Sequence, residues 1–181
     1  MKKISMAVVA AVFALGACKS GGSGSEGKNM YSGNVDAQVE KLLAGKDIYA
    51  DATRVIPVIV NPEQGSVEKK ENLEGFAIVK KAKPLSAEQN AKLQKIVFNT
   101  GTYDFNTQKR CVFKPYVGFI FEKEGKQAHA LFCFSCNEVA FGRDAKPGNI
   151  EDFDAALKDV LGLALEVFPG DAALSKLTGG K

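Results

Sequence analysis

The stretch Arg110–Gly142, RCVFKPYVGFIFEKEGKQAHALFCFSCNEVAFG, decides how this chain is built. It carries three of the four cysteines and the only histidine. At its centre Glu122-Lys123-Glu124-Gly125-Lys126 is polar, and Gly125 can take a positive φ at little cost. The flanks are rich in Val, Ile, Phe and Tyr, which suit a pleated surface. The stretch therefore reads as two antiparallel strands joined by a tight turn. With Glu124-Gly125 as the loop, Lys123 falls opposite Lys126, Phe113 opposite Cys136 and Cys111 opposite Glu138. Side chains alternate along a strand, and cross-strand partners share a face. Cys111 and Cys136 then lie on one face as diagonal neighbours, with Cys133 on the other. A bulge near Lys114-Pro115 would change that register.

Working outward, Ala52–Val60 and Gly75–Lys81 are strand candidates. Pro57 lacks a ladder donor and points to an edge or a bulge. Phe76 and Ile78 share one face. Asn61 to Asn72 is polar and turn-like. A first helix, capped by Asn34 or Asp36, carries Val35, Val39, Leu42 and Leu43 and ends at Gly45. Ser86-Ala87-Glu88-Gln89 has capping-box spacing, and the helix after it buries Leu93, Ile96 and Val97 and stops near Gly101. Asn149–Phe168 reads as the clearest helix, with Phe153, Leu157, Val160, Leu161, Ala164 and Phe168 in one stripe. Glu151, Asp152 and Asp154 fall in its first turn, where the helix dipole accounts for them without a catalytic role. Pro169-Gly170 ends it, and Asp171 can cap a short terminal helix. The order is helix, two strands, helix, hairpin, helix. That is an α+β domain over residues 34–181: a largely antiparallel sheet of about four strands with helices packed on one face.

The N-terminus carries an address. Lys2 and Lys3 precede a short apolar core, Ile4–Ala14, and Leu15-Gly16-Ala17-Cys18 follows with the form of a bacterial lipobox. The apolar run is too short for a span of about 20 residues. Residues 1–17 read as a lipoprotein signal peptide and Cys18 as the lipidated first mature residue. Acyl chains there would anchor the protein to a membrane. Residues 18–33 then form a lipidated cysteine and a Gly/Ser tether. Lys19, where some sorting rules look for Asp, points to the outer membrane, on its periplasmic or surface face. The formal charge is +3, and loss of Lys2 and Lys3 with the leader removes most of it. No basic run interleaves with aromatics, so nucleic-acid binding has no support.

The pattern formed by Arg110, Cys111, Phe113, Pro115, Gly118, Phe119 and Phe121, then Leu131, Phe132, Cys133, Phe134, Ser135 and Cys136, then Phe168, Pro169, Asp171 and Leu174, resembles a group of small bacterial lipoproteins of unknown function. The resemblance covers roughly residues 75–177. Where that group often has a basic residue and a histidine after the proline, this chain has Tyr116 and Val117. The resemblance implies export and a shared fold and brings no activity.

The cysteines admit four readings. With Cys18 lipidated, three remain for an oxidising compartment, which leaves one thiol over. Shared-face geometry favours a Cys111–Cys136 disulfide, with Cys133 free and buried between Phe132 and Phe134; Cys133 is the alternative partner of Cys111 if the register slips. Cys133-Phe134-Ser135-Cys136 also has oxidoreductase spacing, yet a carboxylate follows and apolar residues precede it, which oppose thiolate formation. Cys111, His129, Cys133 and Cys136 make a Cys₃His zinc composition, although Cys136 points away from His129 and Cys133 on a regular strand. Cys133 with His129 as base would be a nucleophile pair lacking a third group. His129 reads as a half-exposed strand residue. Asn137 excludes the haem-attachment motif. No phosphate loop, triad or carboxylate pair occurs and no cofactor is implied. The expectation is a lipid-anchored envelope protein acting as a non-catalytic structural or binding module for an unknown envelope protein or ligand. The alternatives are a thiol–disulfide oxidoreductase on Cys133 and Cys136, or a Cys₃His zinc module.

Overall fold

The structure, a computed structural model, describes residues 36–44, 46–65, 71–107, 109–144 and 146–178. The leader, Cys18, the tether, and Asn34, Val35 and Gly45 of the first expected helix lie outside the described residues.

Helix α1 (Ala37–Leu42) starts at Asp36, whose side chain accepts the Gln38 N–H, and buries Val39 and Leu42. A second short helix, α2 (Asp47–Ala50), follows directly. Strand β1 (Arg54–Val60) leads through a two-residue strand, β2 (Asn72–Leu73), to β3 (Phe76–Lys81). Helix α3 (Ala87–Val97) has both bonds of the Ser86–Gln89 capping box and buries Leu93, Ile96 and Val97. Strands β4 (Val117–Lys123), β5 (Lys126–Cys133), β6 (Glu138–Arg143) and β7 (Ile150–Asp152) come next. Helix α4 (Leu157–Val167) and the terminal α5 (Ala172–Thr178) end the described chain. The Asp171 carboxylate caps α5 by accepting the N–H groups of Ala173 and Leu174.

The fold is α+β. Among the described residues its sheet has seven strands in the order β2-β3-β1-β4-β5-β6-β7, all paired antiparallel. That is three strands more than expected. The Glu124-Gly125 hairpin has the expected register, with Lys123 opposite Lys126 and Val117 opposite Phe132. Beyond Cys133 the chain does not run straight. Phe134–Asn137 make a turn, and β6 folds back along β5, pairing Cys133 with Glu138. What reads as one long second strand is thus a second hairpin. Asn137, at φ 54°, takes the left-handed conformation that Asn tolerates well. Residues Cys111 and Phe113 consequently have no ladder partners, since β4 begins only at Val117. The start of the expected long helix is also reassigned. Ile150–Asp152 pair with β6, and helix α4 begins at Leu157 after a 3₁₀ turn, so Glu151 and Asp152 do not sit in its first turn. Pairing with an exposed ladder satisfies backbone groups that helical periodicity alone cannot reveal.

Pro57 lies in an interior strand rather than at an edge. Its neighbours Val58 and Val60 bond toward β4, so its own missing donor faces β3, where its carbonyl accepts the Ala82 N–H. The ladder with β3 is irregular between Ile59 and Val60, two residues away.

Buried residues of the five described helices pack with Val55, Phe119, Phe121, Phe132 and Phe141 on one sheet face. A smaller cluster of Val58, Val60, Leu73, Phe76, Ile120, Leu131 and Ala140 occupies the other face, with Phe113 against it. No described helix lies on this second face; the irregular segment 109–116 crosses it instead. Among the described residues no helix is long and apolar enough to cross a membrane.

Candidate functional site

The site is built on that second face. Segment 109–116, here called the strap, has no regular secondary structure and is tied at several points. Cys111 is disulfide-bonded to Cys136 in the β5–β6 turn, with Cα atoms 6.0 Å apart. The expected pair is therefore formed, but for another reason: the turn carries Cys136 to the strap, and no strand ladder places it opposite Cys111. Lys109 donates to the Cys136 carbonyl at 2.9 Å and to Asp154 at 2.7 Å, and it also ion-pairs with the buried Asp152. Burial pulls the Lys109 ammonium down, and Asp152 and Asp154 together outweigh it, leaving its pKa above the usual value. Lys109 and Asn137 hold Asp154 below the ordinary carboxylate range. Glu138, opposite Asp152 in the ladder, is shifted upward by burial and by the Asp152 charge. At the far end of the strap Tyr116 donates its N–H to the Phe132 carbonyl, and Lys114 Nζ reaches Glu63 at 2.6 Å.

Between the strap and the β2–β3 turn lies a groove of about 500 Å³. Phe76, Val112, Phe113 and Ile150 supply apolar wall, Lys114 and Glu63 a charged rim, and Glu74 a carboxylate. Val112 is 73 % exposed and Ile150 49 %, two apolar side chains left toward solvent in one concavity.

Behind Glu74 stands His129. Its Nε2 is 2.7 Å from Glu74 Oε1, and the two side chains are 2 % and 8 % exposed. His129 is thus buried, not half-exposed. Three features place the pair. His129 points to the second face of β5 because its neighbours Ala128 and Ala130 fill the helical face. Glu74 sits at φ 52° in the two-residue β2–β3 turn, a left-handed position that a long side chain occupies at a cost of about 1–2 kcal/mol. Gly142, the β6 partner of His129, leaves open the space that a Cβ would contest with the His129 ring, the Glu74 carboxylate and the Lys146 carbonyl. From the other side, the Tyr49 hydroxyl donates to the carbonyls of Gly142 at 3.0 Å and His129 at 3.3 Å. Burial pushes that hydroxyl far above its usual pKa.

Cys133 is buried and free, as expected. Its sulfur accepts the Lys114 N–H at 3.3 Å and lies 3.2 Å from Ser135 Oγ. The remaining constellations are not assembled. His129 and Cys133 share a face of β5 but stand four residues apart, about 13 Å along a strand, and His129 Nε2 is engaged by Glu74. That separates the Cys133–His129 nucleophile pair and the Cys111, His129, Cys133, Cys136 zinc set. Among the described residues no cluster of three or more His, Cys, Asp or Glu side chains could hold a metal. Cys136, the second member of the oxidoreductase spacing, is bonded to Cys111 rather than Cys133.

Glu74 escapes a reading of the sequence, since its partner lies 55 residues on. The available signal is the Glu74-Gly75 dipeptide directly before a strand, matching the Glu124-Gly125 loop that is legible.

Compared with known proteins, the chain matches no family model, no curated protein and no solved structure.

Proposed function

We propose that this chain is a lipid-anchored protein of the bacterial cell envelope that works as a non-catalytic binding module. Cys18 carries the lipid, the tether lets the domain stand off the membrane, and the groove beneath the strap receives an envelope protein or ligand. On this reading the chain belongs with the small lipoproteins its cysteine pattern resembles, at the outer membrane. The observation that carries the proposal is the Cys111–Cys136 bond fixing an exposed strap over an open, partly apolar groove. Disulfides persist in oxidising compartments, and a bond spent on a strap rather than on the main core favours a surface held in shape for contact. The buried Glu74–His129 pair serves as the rigid floor of that surface.

Two measurements test it. Full-length chain expressed in a bacterium with labelled palmitate should take up label, and Cys18→Ser should not; label in both would remove the anchor. A photo-crosslinker at Val112 should capture a partner in cells, while one at Val79, exposed but outside the groove, should not. Equal capture at both sites would sink the groove assignment. Reduction of insulin disulfides by the purified protein, lost in Cys133→Ser, would replace the module with an oxidoreductase.

A further inference from the structure

At the β5–β6 turn a free cysteine and a disulfide share one neighbour. Ser135 Oγ lies 3.2 Å from Cys133 Sγ and 4.0 Å from Cys136 Sγ, so one hydroxyl touches both the free sulfur and the bonded one. Cys133 ends β5 and Cys136 is the third residue of the turn after it, and residues so spaced across a β-turn have Cα atoms within about 7 Å. That separation overlaps the range a disulfide spans. Cys133 also accepts the Lys114 amide, a donor able to hold negative charge on the sulfur. On the far side of the existing bond, Cys111 is exposed.

We propose that Cys133 is a resident exchange thiol: it can take Cys136 from Cys111, converting Cys111–Cys136 into Cys133–Cys136 and releasing Cys111 as a solvent-facing thiol. The buried Cys133 passes its proton to solvent by way of the exposed Ser135 hydroxyl beside it, its sulfur attacks Cys136 Sγ, and the S–S bond to Cys111 breaks as the new one forms. Cys111 leaves as thiolate and takes up a proton. One disulfide and one thiol stand on each side of the step, so no oxidant or reductant is consumed. The exchange unties the strap at Cys111, between Lys109 and Val112. Val112, Phe113 and Lys114 line the groove, so the bond's position would regulate access to it. That consequence rests on the binding-module reading; the exchange itself does not.

The test is a map of bond connectivity. Full-length chain, purified after export, is held at pH 8.5 with an alkylating agent, quenched in acid and digested for peptide mass analysis. Label should accumulate on Cys111 together with a Cys133–Cys136 peptide, and in Cys133→Ser the label on Cys111 should fall at least tenfold. Label confined to Cys133, with Cys111–Cys136 intact throughout, overturns the proposal. In Cys111→Ser, Cys133 and Cys136 should be found joined; two alkylated thiols in that folded variant would also overturn it. The map does not depend on whether Val112 crosslinks a partner, so the two proposals fail separately.

Discussion

Two Glu-Gly turns in this molecule share sequence and backbone and differ in everything else. Glu74-Gly75 joins β2 to β3, with φ values of 52° and 85°. Glu124-Gly125 joins β4 to β5, with φ values of 50° and 76°. Positive φ at both central positions matches the right-handed twist of hairpin strands, and Asn or Gly is the usual first residue. Glu in that place is strained in both turns. At Glu124 the side chain is exposed and the strain has no evident return. At Glu74 the same strain aims a carboxylate at His129, inside a pocket kept open by Gly142. One dipeptide thus serves as a plain connection in one hairpin and as half of a buried polar pair in the other. The difference lies in what the rest of the sheet brings within reach.

The largest effect should come from breaking the pair. His129→Leu leaves the Glu74 carboxylate buried without its partner, and removal of one member of a buried pair costs about 3–5 kcal/mol. Urea unfolding with an unchanged m-value is the readout. A loss below about 1 kcal/mol would mean that the pair behaves like a surface contact and that the two turns are energetically alike.

Gly142→Ala comes next. The added methyl contests space with the ring, the carboxylate and the Lys146 carbonyl, and overpacking of this kind costs about 1–3 kcal/mol. Combined with His129→Ala, its penalty should shrink, because the ring it strikes is gone. Full additivity in the double mutant cycle would show that Gly142 is not there to admit His129.

Loss of charge beneath the strap can be read through pH. Burial and Asp152 raise the Glu138 pKa, so its favourable state is the protonated one. The stability it contributes is present below the unfolded carboxyl value and lost as pH rises through its raised folded value. Glu138→Gln should therefore raise the melting temperature at pH 7, by about 2–4 °C if roughly 1 kcal/mol is relieved, and leave it unchanged near pH 3. Asp154 runs the other way: Lys109 and Asn137 lower its pKa, so its contribution is present above the unfolded value and fades on acidification. A melting temperature lowered by Glu138→Gln at pH 7 would place Glu138 among the favourable partners of Lys109.

The smallest change is the most direct comparison. Glu124→Asn should stabilise the protein by a few tenths to about 1 kcal/mol, because Asn tolerates the left-handed region. Glu74→Asn makes the same backbone gain and loses the bond to His129, so its net effect should be a loss. Two substitutions of equal sign in thermal melts would erase the distinction between the turns.

Much of this fold is legible in local sequence because local physics decides it. The Ser86–Gln89 box closes within four residues and needs nothing from elsewhere. The β4–β5 register follows from one Gly and the alternation beside it. The stripe from Val160 to Phe168 is periodic enough to mark α4, although Ile150–Asp152 of the expected helix join the sheet as β7. The Cys111–Cys136 pair is the one expected from a regular hairpin, yet the β5–β6 turn and not a strand ladder brings it together. The proposed lipid address at Cys18 rests on the pattern of residues 1–18 alone and lies outside the described residues.

What only the tertiary structure decided concerns partners distant in sequence. The run from Leu131 to Phe141 is mostly apolar and aromatic, and Ser135, Asn137 and Glu138 interrupt it too briefly to fix a bend; the choice between one strand and two falls to the free ladder of β5, which β6 can satisfy. Whether Pro57 sits at an edge depends on which side its missing donor faces. Whether Glu-Gly is a bare turn or the wall of a pocket depends on His129 and Gly142, 55 and 68 residues beyond Glu74. Local sequence sets dihedral preference and periodicity, which act over a few residues. Burial of a charge is set by every chain segment that closes around it, and no single segment carries that information.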